Sequence, residues 1–193
     1  MASDDFRRKV KQNVAANFDR SLAQYQAFEA RHGFFAALTV ELARRIGLAP
    51  GARVLDVGCG YGVSAGALHD RLGCTVLGVD LSPEMIAAGR RRGLPDGVRL
   101  EVGDGEDLAG VAGGGLFDYV LYNASLFIFP DADRALREAA ALLRPGGKIA
   151  FSHYPLLLGP AGEDLLDEAF RRQGEPPPRF RVITDYETAC GAL

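Results

Sequence analysis

Cysteine is scarce in this 193-residue chain. Its three residues, Cys59, Cys74 and Cys190, are odd in number and form no C-x-x-C pair, so neither a disulfide framework nor a zinc knuckle can be assembled from them. Long apolar runs are missing as well. The chain opens Met1-Ala2-Ser3-Asp4-Asp5, without the apolar stretch of a secretion signal, and no window approaches the roughly 18 uncharged apolar residues of a membrane helix. These absences predict a cytoplasmic protein with no membrane partner. An excess of one charge is absent too: 22 Lys and Arg against 25 Asp and Glu leave a formal −3, which exerts no long-range pull on a phosphate backbone, so no nucleic acid is expected. No cluster of His or carboxylates has metal-ligand spacing, and no metal is expected.

What is present is a core-forming composition. With 48% hydrophobic and 24% charged residues, 11 Phe and 6 Tyr, the chain can bury the interior of one domain, 1–193, and disorder is excluded. Phe6, Val10, Val14, Phe18, Leu22, Tyr25 and Phe28 recur in steps of four and three, which predicts one or two amphipathic helices. A second stripe, Phe34/Phe35, Leu38, Leu42 and Ile46, ends at Gly47 ahead of Pro50-Gly51.

Strands and helices then alternate. Val54 to Val57 reads as a strand, Val63 to Leu72 as a helix, and Thr75 to Asp80 as a second strand. Ser82-Pro83-Glu84 supplies an N-cap, a first-turn proline and an early acid. Arg90-Arg91-Arg92 falls where that helix should end, as cations near its C-terminus. Val98 to Val102 alternates apolar with charged residues and so belongs at a sheet edge; Phe117 to Tyr122 is a fourth strand, Asp131 to Leu143 a helix, Pro145-Gly146-Gly147 a turn, and Lys148 to Ser152 a fifth strand. This order predicts an α/β fold with a doubly wound, mostly parallel sheet.

The chemistry is concentrated at strand ends. Asp56-Val57-Gly58-Cys59-Gly60-Tyr61-Gly62 is an Asp-x-Gly-x-Gly-x-Gly turn between a strand and a helix, where glycine lets backbone N–H groups approach a ligand. Asp80 closes the next strand about 20 residues on, where a carboxylate can accept both hydroxyls of a ribose, and Asp104 follows the third. Each aspartate alone could equally be a turn former or an N-cap. Gly60-Tyr61-Gly62-Val63-Ser64-Ala65 also fits the loose G-x-G-x-x-A dinucleotide form, which keeps an NAD-dependent oxidoreductase open, although Asp56 would repel a pyrophosphate.

Taken together, Val54 to Gly62, Gly78-Val79-Asp80-Leu81-Ser82, Gly103-Asp104-Gly105-Glu106-Asp107-Leu108, Phe117-Asp118 and Leu143-Arg144-Pro145-Gly146-Gly147 resemble the successive motifs of class I S-adenosylmethionine-dependent methyltransferases. The resemblance implies a Rossmann-like sheet of order 3-2-1-4-5, residues 1–50 as an N-terminal helical lid, 51–153 as the cofactor-binding core and 154–193 as a C-terminal helical segment. It implies S-adenosylmethionine as cofactor and a small-molecule methyl acceptor. Gly58 and Gly60 would lie against the methionine part, with Asp56 near its ammonium. Asp80 would hold the ribose diol, Leu81 would pack on the adenine, and Met85 would close the adenine slot. Asp104 would accept from the adenine amino group, Gly105 would donate its N–H to a ring nitrogen, and Asn123 would touch the cofactor through its backbone.

Methyl transfer asks for alignment and exclusion of water more than for reactive side chains. Tyr25, Tyr61, Tyr122 and Tyr154 are the aromatic candidates near the sulfonium; His153, Tyr154 and Tyr25 are the candidates for a catalytic role, while Cys59 reads as a packing residue. Tyr122-Asn123-Ala124-Ser125 departs from the Asn/Asp-Pro-Pro-Tyr of the methyltransferases that modify amide or adenine nitrogens. The final antiparallel hairpin of the family is not found, so the chain is expected to be truncated, or an S-adenosylmethionine-binding module without activity. Its fifth strand would then be an apolar edge, covered by residues 154–193 or by a second copy in a homodimer.

Overall fold

Val54, Leu55, Asp56 and Val57 are all buried, the pattern of a strand covered on both faces. In the computed structural model, which describes residues 4–152, this strand, β1 (Arg53–Val57), is the centre of one parallel sheet. Its neighbours are β2 (Thr75–Asp80) and β4 (Phe117–Tyr122); β3 (Val98–Val102) and β5 (Leu143–Phe151) lie outside them, giving the order β3-β2-β1-β4-β5 expected from sequence. The helices are α1 (Asp4–His32), α2 (Phe34–Ile46), α3 (Val63–Leu72), α4 (Pro83–Arg91) and α5 (Ala132–Ala141). None of the described helices is long and apolar enough to cross a membrane.

Strand alternation divides the core. Leu55, Val57, Leu77, Val79, Val120 and Tyr122 turn to the face covered by Ala135, Leu136 and Ala139 of α5. Val54, Val76, Leu100 and Leu121 turn to the other face, against Ala43, Leu68 and Ile86 of α2, α3 and α4. By the same parity Asp56 points into this second, mainly apolar layer.

The long N-terminal stripe forms one helix. Only its middle is tightly packed: Phe18, Leu22 and Tyr25 lie on Tyr61, Met85 and Ala88, whereas Phe6 and Phe28 near the two ends are 56% and 44% exposed. Gly33, at φ 57°, breaks the chain into α2, and the buried Glu29 accepts the N–H of Phe35 at 2.8 Å and of Ala36 at 3.1 Å, capping α2 from the preceding helix. Two boundaries are corrected. The fifth strand begins at Leu143, because Leu143 already pairs with Phe117, and Pro145-Gly146-Gly147 is a register irregularity inside the strand instead of a turn before it. The α5 helix accordingly stops at Ala141. Nor do the three arginines simply face the end of α4: Arg90 donates to the Leu100 carbonyl and pairs with Glu101 of β3, and Arg92 stacks 5.6 Å from the Tyr61 ring centroid. Among the described residues β5 is a sheet edge; the segment expected to cover it lies outside them.

Gly89 sits where α4 meets the glycine turn. Alanine ordinarily stabilises a helix interior over glycine by about 1 kcal/mol. Here a Cβ would lie 2.5 Å from Leu100 Cδ1 and 2.7 Å from the Tyr61 carbonyl oxygen. The leucine can turn, but the carbonyl moves only with the turn, and overpacking of this kind costs roughly 1–3 kcal/mol. Gly89→Ala is therefore expected to lower the melting temperature in scanning calorimetry, against its helix propensity; an unchanged or higher value would show that the turn yields freely.

Candidate functional site

The ends of β1, β2 and β4 and the loop after β3 meet beneath α1. The chain leaves β1 through Gly58 and Gly60, at φ 75° and 54°, where residues with a Cβ are strained. A Cβ on Gly58 would also sit 2.4 Å from Ser125 Cβ, so the turn is pressed against the segment following β4. Gly60 faces open space and donates its N–H to Asp80 Oδ2 at 2.7 Å. The Ser82 N–H donates to Asp80 Oδ1 at 2.9 Å, and Ser82 Oγ accepts the Met85 N–H at 3.0 Å while donating to Asp19 of α1. One carboxylate thus ties the glycine turn to the start of α4. Burial raises the Asp80 pKa above the ordinary carboxylate value, and these two amides pull against the rise.

Asp56 is in a different situation. It is 1% exposed, and neither carboxylate oxygen has a hydrogen-bond partner among the described residues. Burial, with a smaller contribution from the Asp80 charge, pushes its pKa up to about 7. Two acids therefore flank the turn, one held by backbone amides and one with unfilled acceptors. Cys59, beside them, is buried; its Sγ would lie 2.7 Å from a Cβ on Gly78, and burial pushes its thiol pKa well up, as fits a packing residue.

Beyond Asp80 lies a cleft of about 520 Å³. Its walls are Leu81, Pro83, Asp104, Glu106 and Arg134 on the core side and Arg7, Lys11 and Ala15 among others on α1. Asp104 Oδ1 accepts the Glu106 N–H at 2.9 Å, and Asp104 Oδ2 lies 2.7 Å from Lys11 Nζ. A Cβ on Gly105 would meet Phe129 at 2.4 Å and Val57 at 2.7 Å, so only glycine fits there. Of the expected binding residues, Leu81 and Asp104 line this cleft, while Asp80, Gly105 and the glycine turn adjoin them in the chain without being among its walls.

Other candidates lie elsewhere. Met85 is buried in the cluster of Tyr61, Phe18, Leu22 and Tyr25, under α1 and away from the cleft lining. For Asn123 the expected contact is through its backbone, and its side chain is used in packing: Nδ2 donates to Ser64 Oγ at 2.8 Å and to the Phe35 carbonyl at 3.1 Å, and Oδ1 accepts from Ser152 Oγ at 3.0 Å. Tyr25 is stacked between Phe18 and Phe35, at centroid distances of 5.5 and 5.9 Å, and burial raises its pKa. Tyr122 is turned the opposite way from the expectation: its hydroxyl donates to the Ala135 carbonyl at 2.9 Å and its ring meets Phe129 on the α5 side, because its strand parity opposes that of Asp56. His153 and Tyr154 lie outside the described residues. The sequence reading missed Lys11 and Glu106; Glu106 stands within a motif used above, but nothing local marks a lysine 95 positions earlier as its partner.

With this geometry in place, a family model described as a methyltransferase domain matches residues 55–151. The chain belongs to this family. It is 42% identical over 104 residues to the ubiquinone biosynthesis O-methyltransferase of Xanthomonas axonopodis pv. citri (strain 306), a match covering 53% of this chain and 43% of that protein. Among solved structures, it resembles a chain of the complex between the Haloferax volcanii Trm112 methyltransferase activator and a methyltransferase, with a TM-score of 0.59 and 29% identity over 69% of this chain and 58% of that one. It also resembles the Haemonchus contortus phosphoethanolamine N-methyltransferase 2 solved with S-adenosyl-L-methionine, with a TM-score of 0.54 and 25% identity over 71% of this chain and 32% of that one. The match thus spans less than half of the curated relative.

The Asp56 geometry has a consequence for stability. An unfolded Asp titrates near 3.8 and this one near 7, so between those values the folded chain retains a proton that the unfolded chain has lost. Its contribution therefore falls as pH rises from about 4 to about 7 and is level above that, by a few kcal/mol in total. Thermal melts from pH 4 to 8 should show a shallower loss for Asp56→Asn than for the wild type. Parallel curves would mean that Asp56 is not the group that titrates.

Proposed function

We propose that the chain is an S-adenosylmethionine-dependent methyltransferase acting on a small-molecule acceptor. The observation that carries this reading is Asp56, a buried carboxylate with two unfilled acceptor oxygens beside an open glycine turn. A buried acid without a counter-ion is costly, and it suits a ligand that brings a cation with N–H donors. The amino-acid end of S-adenosylmethionine brings an ammonium. The remaining residues fit the rest of that cofactor: Asp80 offers its remaining lone pairs to a ribose diol, Leu81 an apolar wall, Asp104 an acceptor for an amino group, and the Gly105 N–H a donor. When bound, the cofactor supplies a sulfonium methyl already activated for in-line displacement.

What the chain supplies is binding, orientation and dryness. Asp80 and the Gly60 N–H fix the turn, and α1 with Phe18, Leu22 and Tyr25 covers Tyr61 and Met85, keeping water from that side. Tyr25, with its raised pKa, stays protonated near neutrality and serves as an aromatic wall rather than as a base. The small-molecule class rests on the balanced charge of the chain and on the names of its relatives, which refer to ubiquinone biosynthesis and to phosphoethanolamine. The nicotinamide alternative fares worse, since a pyrophosphate at the turn would face Asp56 and Asp80 without a cation between them.

Calorimetric titration with S-adenosylhomocysteine and with NAD tests the cofactor, and transfer of a labelled methyl group into metabolite extracts tests the reaction. We expect binding of S-adenosylhomocysteine only. Asp80→Asn, which loses acceptor capacity for the ribose, should weaken it by about 1.5–3 kcal/mol, the worth of hydrogen bonds to a charged group. Heat from NAD alone would sink the reading, and binding without any transfer would leave a binding module.

A further inference from the structure

Lys11 has no part in the reading above, yet it holds the carboxylate to which that reading gives the adenine amino group. Its Nζ lies 2.7 Å from Asp104 Oδ2 and 2.6 Å from Glu106 Oε2. An ammonium and an exocyclic amino group both present N–H donors, and Lys11, which lines the cleft with Asp104, already stands on Oδ2 while Oδ1 accepts the Glu106 N–H, so a base amino group entering the cleft would crowd the ammonium at the same carboxylate. The two carboxylates differ in what they can lose. Asp104 has a side chain 33% exposed, where water or a ligand can replace the lysine, whereas that of Glu106 is 1% exposed, with its second oxygen engaged by the Asp131 N–H at 2.8 Å. Stripping the ammonium from Glu106 would leave a buried charge without compensation, which costs far more than opening a partly exposed pair.

We propose that Lys11 gates the base subsite: in the empty protein its ammonium occupies Asp104 in place of the adenine amino group, and cofactor entry moves it wholly onto Glu106. Glu106 is then the carboxylate that receives the displaced lysine, and the lid stays tied to the core while the base enters. This rests on the nucleoside reading of the cleft. It also predicts which bases benefit, because only a base with a donor at the six position needs Asp104 vacated.

The test is equilibrium binding of S-adenosylhomocysteine and of S-inosylhomocysteine, whose six-position carbonyl cannot donate, to the wild type, Glu106→Gln and the double variant Lys11→Met/Glu106→Gln. The double variant is preferred to Lys11→Met alone because it does not strand a buried acid. It should bind S-adenosylhomocysteine about three- to tenfold more tightly than the wild type, and Glu106→Gln more weakly by a similar factor, with no gain in either for the inosine analogue. Affinities equal in all three proteins, or weakest in the double variant, overturn the gate while leaving the cofactor reading intact. No binding by the wild type overturns both. If the double variant melts below the assay temperature, Glu106→Gln decides, since the amide keeps the Asp131 contact: affinity at or above that of the wild type overturns the gate.

Discussion

An acid closed inside the protein at the end of its central strand, with no hydrogen-bond partner among the described residues, is the constraint around which the rest of the site is arranged. Asp56 lies on the sheet face that also carries Val54, Val76, Leu100 and Leu121, and at 1% exposure it has exchanged bulk water for the protein interior. The fold tolerates this in two ways. The carboxyl can hold its proton close to neutrality, and the neighbouring Asp80 is quieted by two backbone amides, so the two negative charges do not compete for one space without help. On the proposed reading, stability given up at this point becomes capacity to bind a cationic group, the usual relation between a destabilised site and its use.

The glycine turn is what makes the arrangement possible. A residue with a Cβ at position 58 would collide with Ser125, whose Oγ donates to the Val57 carbonyl at 2.6 Å and so ties the turn to the exit of β4. The ends of three strands, β1, β2 and β4, are thereby held against one another by backbone and short side chains. The long side chains at the cleft come from α1, which reaches it from outside, and from Glu106 and Arg134 on the core side.

Much of this was legible in the sequence for local reasons. The limits of β2 and β4 and the start of α4 follow from short apolar runs and from Ser82-Pro83, signals that lie within the element they define. The aspartates at strand ends were legible because strand, turn and acid recur in sequence order. What was not legible depends on distant partners. The start of β5 is set by Phe117, some 26 residues earlier, whose pairing draws Leu143 into the sheet ahead of a Pro-Gly-Gly that otherwise signals a turn. Tyr122 was misplaced because a tyrosine near a strand end gives no sign of its face until the register with β1 is known. The ion pairs of Lys11 join segments that share no local pattern, and Glu29 reads as one more surface acid of α1 until Gly33 turns the chain back over it.

The helix α1 behaves as a beam clamped along one part of its length only. From Phe18 onward it is fixed by aromatic packing and, at Glu29, by hydrogen bonds into α2; before Phe18, the pairs of Arg7 with Asp131 and of Lys11 with Asp104 and Glu106 hold it down. At 1.5 Å per residue, Lys11 stands about 10 Å from the clamp, so lifting it by some 3 Å demands a bend of roughly 15–20°. No glycine or proline occurs between Asp4 and His32 to concentrate such a bend, and a straight helix resists it. Loosening the turns that precede Lys11, one at a time, demands less, and it leaves the tie of Lys11 to Glu106 in place. The order of residues 4–10 is then a local helix–coil matter, which temperature and their own composition can tune without altering a single residue of the cradle.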